Sequence, residues 1–167
     1  SSGAFWPYGT DEKTMRIAIL SFEYPPDTGF GGIGTYSWYQ SRALVELGHD
    51  VHVFAGSLDP GTTHTEVDGV RLTRTLDAGP FAQAITALEH DGLPWAGNRL
   101  RTGYGAFRAL SEALEQEAFD IVEFPECGAD GMLVSTLLPV RTCVRFHSPA
   151  KLIMENYDVD PRDIEAT

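Results

Sequence analysis

A chain of 167 residues suits one domain with a real core, and 43% hydrophobic with 22% charged residues is an ordinary globular composition. The formal net charge of -12 argues against a nucleic-acid binder and against electrostatic attachment to anionic lipid, because such a surface repels phosphates. No apolar run approaches the roughly 20 residues that span a bilayer.

Ser1 to Thr14 lack the basic start and apolar stretch of a signal peptide, so residues 1–14 read as an extension ahead of a natural start at Met15. Arg16 to Phe22 is a continuous apolar run, the pattern of a parallel strand buried on both faces. A Pro- and Gly-rich loop spans Glu23 to Gly32. A helix is expected from Ile33 to Leu47, with Ile33, Tyr36, Ala43, Leu44 and Leu47 as its apolar face and Gly48 at its C-terminus. Val51 to Ala55 reads as the second strand. Asp68-Gly69 between Thr63–Val67 and Val70–Arg74 signals a hairpin insertion around 63–74.

The stretch Asp77 to Asn98 is mixed, with a short helical pattern around Phe81 to Leu88. A clear helix follows from Leu100 to Ala118, then a strand at Ile121 to Phe124. Ala129 to Leu138 reads as a helix stopped by Pro139, Thr142 to Phe146 as a strand, and Ser148 to Asn156 as the start of another helix. Alternating strands and helices predict an α/β fold: a Rossmann-like, doubly wound, mostly parallel sheet with helices on both faces. Ligands of such sheets sit outside the carboxyl ends of the strands, near the reversal of strand order. The loops 23–34, 125–131 and 147–151 leave those ends and hold the candidate residues.

The first loop contains Gly29-Phe30-Gly31-Gly32-Ile33-Gly34, a literal G-x-G-x-x-G. Glycines admit a phosphate to the backbone, and the following helix offers unpaired N–H groups. A dinucleotide fingerprint would place them directly after the strand and an acid after the second strand; here Pro25 and Pro26 intervene and the second strand runs into Ala55-Gly56-Ser57. In the second loop, Glu126 either stabilises a helix N-terminus or binds acceptor hydroxyls. Asp130 accompanies it, and Glu123 is expected to point into a helix layer. In the third, His147 either meets a backbone carbonyl or makes a polar substrate contact. Arg145 and Lys151 are candidates for phosphate or acceptor contact, with solvated charge as the alternative. Trp38 and Tyr39 read as helix packing or a domain-facing surface. His49, His52 and His64 have no metal-ligand spacing, and Cys127 and Cys143 form neither a metal motif nor a disulfide framework, consistent with reduced thiols in a cytoplasmic protein.

Three segments together carry a resemblance. Met15-Arg-Ile-Ala-Ile-Leu-Ser-Phe-Glu-Tyr-Pro-Pro26 is followed by Gly31-Gly32-Ile-Gly-Thr-Tyr36 and Leu44-Val-Glu-Leu-Gly48-His49-Asp-Val51. These resemble the opening of the family 4 (group 1) glycosyltransferases of the GT-B fold. Asp120 to Glu126 and Val144 to Pro149 are similar to later strand ends of that family. The resemblance implies two Rossmann-like domains with a cleft between them and sugar transfer with retention, without a metal or other cofactor. In such enzymes the N-terminal half mostly holds the acceptor, and a C-terminal half bearing a Glu-x7-Glu signature holds the nucleotide-sugar. Gly31 and Gly32 then match the glycines approaching the donor diphosphate, and His147 matches a histidine beside the transferred sugar, the candidate catalytic residue. Glu126, Arg145 and Lys151 become candidate acceptor or substrate contacts. The resemblance places that Glu-x7-Glu signature in the C-terminal half, so residues 15–167 are expected to be an acceptor-side domain that works with a separate donor-binding domain. The alternatives from other classes are a nicotinamide-dependent oxidoreductase domain and a non-catalytic sugar- or nucleotide-binding module. The backbone of Gly31 and Gly32 and the side chains of Glu126 and His147 are expected to line one open groove.

Overall fold

The computed structural model describes residues 13–29, 31–147 and 160–165. Its elements are β1 (Arg16–Ser21), α1 (Gly32–Glu46), β2 (Asp50–Gly56), β3 (Gly61–Val67), β4 (Val70–Leu76), α2 (Pro80–His90) and α3 (Pro94–Leu114). They continue with β5 (Ile121–Pro125), a 3-10 turn at Cys127–Ala129, α4 (Met132–Leu137), β6 (Thr142–Arg145) and α5 (Pro161–Glu165). The expected helix at 148–156 lies outside the described residues.

Among the described residues the sheet has six strands in the order β3-β4-β2-β1-β5-β6. All pair in parallel except β3, which runs antiparallel to β4. The hairpin is therefore part of the sheet, with β4 joined to β2 and β3 forming an outer edge. The chain moves outward from β1 through β2 to β4, then returns to β5 on the other side of β1. That reversal puts the topological crevice at the carboxyl ends of β1 and β5.

Side chains of successive strand residues point to opposite faces, and two cores result. Ile17, Ile19, Val51, Val53, Val70 and Leu72 face α1, packed by Trp38, Leu44 and Val45. Ala18, Leu20, Phe54, Val122 and Phe124 face α3 and α4, packed by Ala106, Ala109, Leu110 and Val134. Helices thus cover both faces, and the fold is the Rossmann-like α/β class.

The buried face of α1 is not the one its apolar residues suggest. Gly34, Ser37 and Ser41 are the buried positions, while Tyr36 and Leu47 are 47% and 62% exposed. Small residues let the helix approach β1 closely, and the two serines hydrogen-bond to groups beneath: Ser37 to Ser21 at 3.0 Å and Ser41 to the Tyr24 hydroxyl at 2.9 Å. α3 begins at Pro94, earlier than the spacing of its large apolar residues suggests, because proline suits the first helical turn. Its free N–H groups are capped from far along the chain: the Asp163 carboxylate accepts Trp95 N–H at 2.8 Å and Ala96 N–H at 2.9 Å. α4 is shorter than expected because Gly128, at φ 82°, turns the chain just before it.

One buried cation shapes the loop after β1. Arg74, on β4 and 7% exposed, sends its guanidinium across the end of β2. It donates to the carbonyls of Tyr24 (2.8 Å), Pro25 (3.0 Å) and Gly56 (3.2 Å), to the Thr28 hydroxyl (3.2 Å), and pairs with Asp27 at 2.8 Å. Burial works against its charge, and Asp27 and Tyr24 offset part of that effect. Replacing Arg74 with Met leaves several carbonyls unpaired, and a loss of about 3 kcal/mol is expected in urea unfolding.

The opposite, amino end of the sheet carries a second polar network. Arg71 bridges Asp50 (3.0 Å) and Glu117 (2.6 Å), and His52 lies between Thr73 (2.8 Å) and Glu117 (3.4 Å), stacked on Phe54. Burial, reinforced by Arg71, lowers the His52 pKa, although Glu117 pulls the other way. The unfolded chain therefore takes up a proton near pH 6.5 that the folded chain refuses. Stability is complete above that pH and declines below it. Melting curves between pH 7.5 and 5.5 should show this decline, and His52→Asn should flatten it.

Candidate functional site

The carboxyl ends of β1, β5 and β6 lie side by side, and each carries a polar group in the following residues. Glu126, after β5, accepts the backbone N–H of His147, after β6, on both carboxylate oxygens at 2.9 Å. Its Oε2 also lies 3.4 Å from His147 Nδ1. The other ring nitrogen, Nε2, accepts from Arg145 Nε at 3.2 Å, which assigns the proton to Nδ1, on the side of Glu126. Tyr36, one turn into α1, meets the imidazole edge-on at 5.5 Å between ring centroids. Glu126 and His147 are thus in direct contact, and α1 touches them through Tyr36.

Arg145 points inward, not toward the open edge. Its guanidinium lies over Tyr36 and donates to the Glu123 carboxylate, to Gln40 Oε1 at 2.5 Å and to Ser37 Oγ at 3.0 Å. Gln40 closes the ring by donating to Glu123 at 2.6 Å. The Arg145 and Glu123 side chains are only 10% and 14% exposed. From Ser37 the chain of hydrogen bonds continues to Ser21 Oγ (3.0 Å) and from there to the Glu23 carbonyl (2.8 Å). The arginine sought as a substrate contact thereby joins β6, β5 and α1 and reaches the loop after β1.

Gly31 caps α1 with extended backbone and no side-chain hydrogen bond, and Gly32 opens the helix. Both are exposed, and a Cβ at Gly32 would meet nothing within 4 Å. The N–H groups of a helix start attract anions, so this turn presents partial positive charge at the crevice. Lys151 lies outside the described residues.

Asp130, the acid that accompanies Glu126 in the second loop, lies at the same edge, together with residues not singled out from sequence. Asp130 is buried beneath the crevice and accepts the Phe22 N–H at 3.0 Å. Burial raises its pKa, against the opposing effects of that hydrogen bond and of Arg99. Arg99, from α3, stacks 4.1 Å from the Trp95 ring and passes over Gly128. At the carboxyl end of β4 a cleft of about 250 Å³ is lined by Thr62, Thr75, Asp77 and Arg108. Arg99 and the residues of this cleft carried no sequence signal. Among the described residues, no cluster of three or more His, Cys, Asp or Glu side chains is placed to hold a metal.

An internal pair as buried as Arg145–Glu123 carries a folding cost when cut. Arg145→Met should lower stability by about 3 kcal/mol, because Glu123 is left without its cation. A purely substrate-facing arginine would leave the unfolding curve unchanged.

Comparisons with known proteins agree with this architecture. Residues 31–163 match the family model described as a glycosyl transferase 4-like domain. The MMP alpha-(1->4)-mannosyltransferase of Mycolicibacterium hassiacum is 32% identical over 148 residues, covering 81% of this chain and 35% of that protein. Glycogen synthase of Mycobacterium tuberculosis is 32% identical over 98 residues, 57% of this chain and 22% of its own length. Among solved structures, the catalytic domain of starch synthase IV from Arabidopsis thaliana, bound to ADP and acarbose, superposes with a TM-score of 0.58 at 16% identity. That match covers 81% of this chain and 34% of the other. Sucrose-phosphate synthase from Thermosynechococcus elongatus gives 0.54 at 17% identity, over 91% of this chain and 39% of its own. The chain spans roughly a third of the length of the mannosyltransferase it matches. With the family model covering most of the sheet and the GT-B neighbours sharing its fold, the chain belongs to the glycosyl transferase 4-like family.

Proposed function

We propose that this domain is the acceptor-side half of a retaining glycosyltransferase that moves a hexose from a nucleotide-sugar to a hydroxyl acceptor. The observation that carries the reading is the arrangement of residues at the carboxyl edge of β1 and β5, in a chain of this family. There the exposed Gly31-Gly32 helix start lies on the same edge as the His147–Glu126 pair. The relatives named as a mannosyltransferase and glycogen synthases, and the starch synthase neighbour bound to ADP and acarbose, support sugar transfer. The limited share of those proteins that this chain covers supports a second, donor-binding domain in the working enzyme.

In this mechanism the N–H groups at the start of α1 face the donor diphosphate across the closed cleft and stabilise its charge as the glycosidic bond breaks. His147, its ring held between Glu126 and Arg145, borders the transferred sugar. The acceptor hydroxyl is oriented along the same edge, and rate comes from positioning and electrostatics without a protein nucleophile. In this reading the backbone N–H groups at the start of α1 do the work that a divalent cation would otherwise do at the diphosphate, and the working compartment is the cytoplasm. The nicotinamide alternative lacks its chemistry, since β2 ends at Gly56 and runs into Ser57 with no acid for a ribose there.

The test is turnover of UDP-, GDP- and ADP-hexoses by the full-length protein. Transfer or slow donor hydrolysis is expected with at least one donor, undiminished by EDTA, whereas residues 1–167 alone should transfer nothing. In the full-length enzyme His147→Ala should lower kcat by at least about tenfold, on the order of 1.4 kcal/mol, with little change in unfolding. Gly32→Ala should raise the donor KM and leave stability nearly unchanged, because its Cβ enters open space. Absence of turnover with every donor would refute the reading.

A further inference from the structure

The glycines of the first loop do not all face the crevice. A Cβ at Gly31 would lie 2.7 Å from Glu23 Oε2, one at Gly29 2.8 Å from Glu23 Cγ, and one at Gly34 3.1 Å from Glu23 Cβ. Three of the four glycines therefore enclose one side chain, and only Gly32 opens on empty space. The Glu23 carboxylate accepts the N–H of Gly34, in the first turn of α1, at 3.4 Å. Its own backbone carbonyl receives the end of the hydrogen-bond chain from Arg145 through Ser37 and Ser21. Glu23 is thus tied to the β6 edge through its main chain and to the helix start through its side chain.

We propose that Glu23 is a positioning residue for sugar transfer: it fills the glycine turn from within and sets the place and direction of the first N–H groups of α1. The assignment rests on the glycosyltransferase reading for its effect on substrate and on packing alone for its effect on the turn. Glu23 orders the turn without meeting the acceptor.

Gly31 offers a clean test. Its φ of -67° and ψ of 176° suit alanine, so only Glu23 stands in the way of a methyl group there. The stem of Glu23 is pinned by Gly29 and Gly34, which limits how far the carboxylate can swing aside. In the full-length protein, Gly31→Ala should lower the urea midpoint. In a Glu23→Ala background the same change should be neutral or stabilising, since alanine also reduces the freedom of the unfolded chain. Glu23→Ala should accelerate hydrogen exchange at amides 32–35 and raise the KM for the hexose donor used (UDP-, GDP- or ADP-linked) by several-fold with a smaller change in kcat. Glu23→Gln, which fills the same space and still accepts the Gly34 N–H, should restore exchange and KM toward the parent values. Additive midpoints for Glu23→Ala and Gly31→Ala, or unchanged exchange in Glu23→Ala, would overturn the proposal. If no donor is turned over at all, the midpoints and exchange rates still decide the role of Glu23, and only the transfer reading falls.

Discussion

The guanidinium of Arg74 is the interaction on which the working edge of this domain depends. A loop leaving the end of a central parallel strand has no sheet neighbour for its carbonyls, and buried carbonyls without partners are costly. Arg74 gathers two of them, those of Tyr24 and Pro25, together with the Gly56 carbonyl at the end of β2, a threonine hydroxyl and an aspartate. The chain between β1 and α1 is thereby folded over the end of β2, which delivers the glycine turn to the start of the helix. Without a cation at that point of β4, the loop could follow many paths and the helix could begin at several distances from β1.

The close seat of α1 is the second requirement. Glycine and serine on its inner face cost the domain apolar contact, yet they bring the helix near enough for hydroxyls to bridge helix and strand. Through Ser37 and Gln40 the same helix engages Arg145 and Glu123, so the ends of three strands and one helix share a single polar framework. His147 and Glu126 sit at its rim. The framework fixes the ends of these strands and the start of the helix relative to one another, and rigid support of this kind is what makes a site accurate to fractions of an ångström.

Much of the sheet was legible in the sequence. Apolar runs at 16–22, 51–55 and 121–124 have few other destinations than buried parallel strands, and Asp68-Gly69 marks its turn by chemistry alone. The inner face of α1 was not legible, because serines bury themselves there through partners 16 and 17 residues away that no periodicity reveals. The start of α3 was equally hidden: its cap, Asp163, is supplied from 68 residues downstream. At the site, position along the carboxyl edge could be inferred for Gly31, Gly32, Glu126 and His147, since it follows from topology. The inward turn of Arg145 could not be, because a lone arginine at a strand end looks the same whether its partner is solvent, a ligand or a glutamate on the next strand. Arg74 and Glu23 were missed for a related reason: the carbonyls and glycines they serve become neighbours only once the loop has folded.

The bonds running from Arg145 to the loop after β1 have a polarity. A guanidinium can donate but never accept, so Ser37 must take its proton from that side and pass its own to Ser21, which passes its own to the Glu23 carbonyl. Each hydroxyl, ordinarily able to rotate among several partners, is left with one orientation. Aligned bonds of this kind polarise one another, by roughly 10–30% per bond in condensed-phase estimates. The last acceptor is the peptide that precedes Tyr24, so the dipole of that peptide is oriented by a charge on another strand, immediately before the chain enters the fold around Arg74. Two cations, one on β4 and one on β6, therefore act on consecutive carbonyls, Arg74 on that of Tyr24 directly and Arg145 on that of Glu23 through two serines.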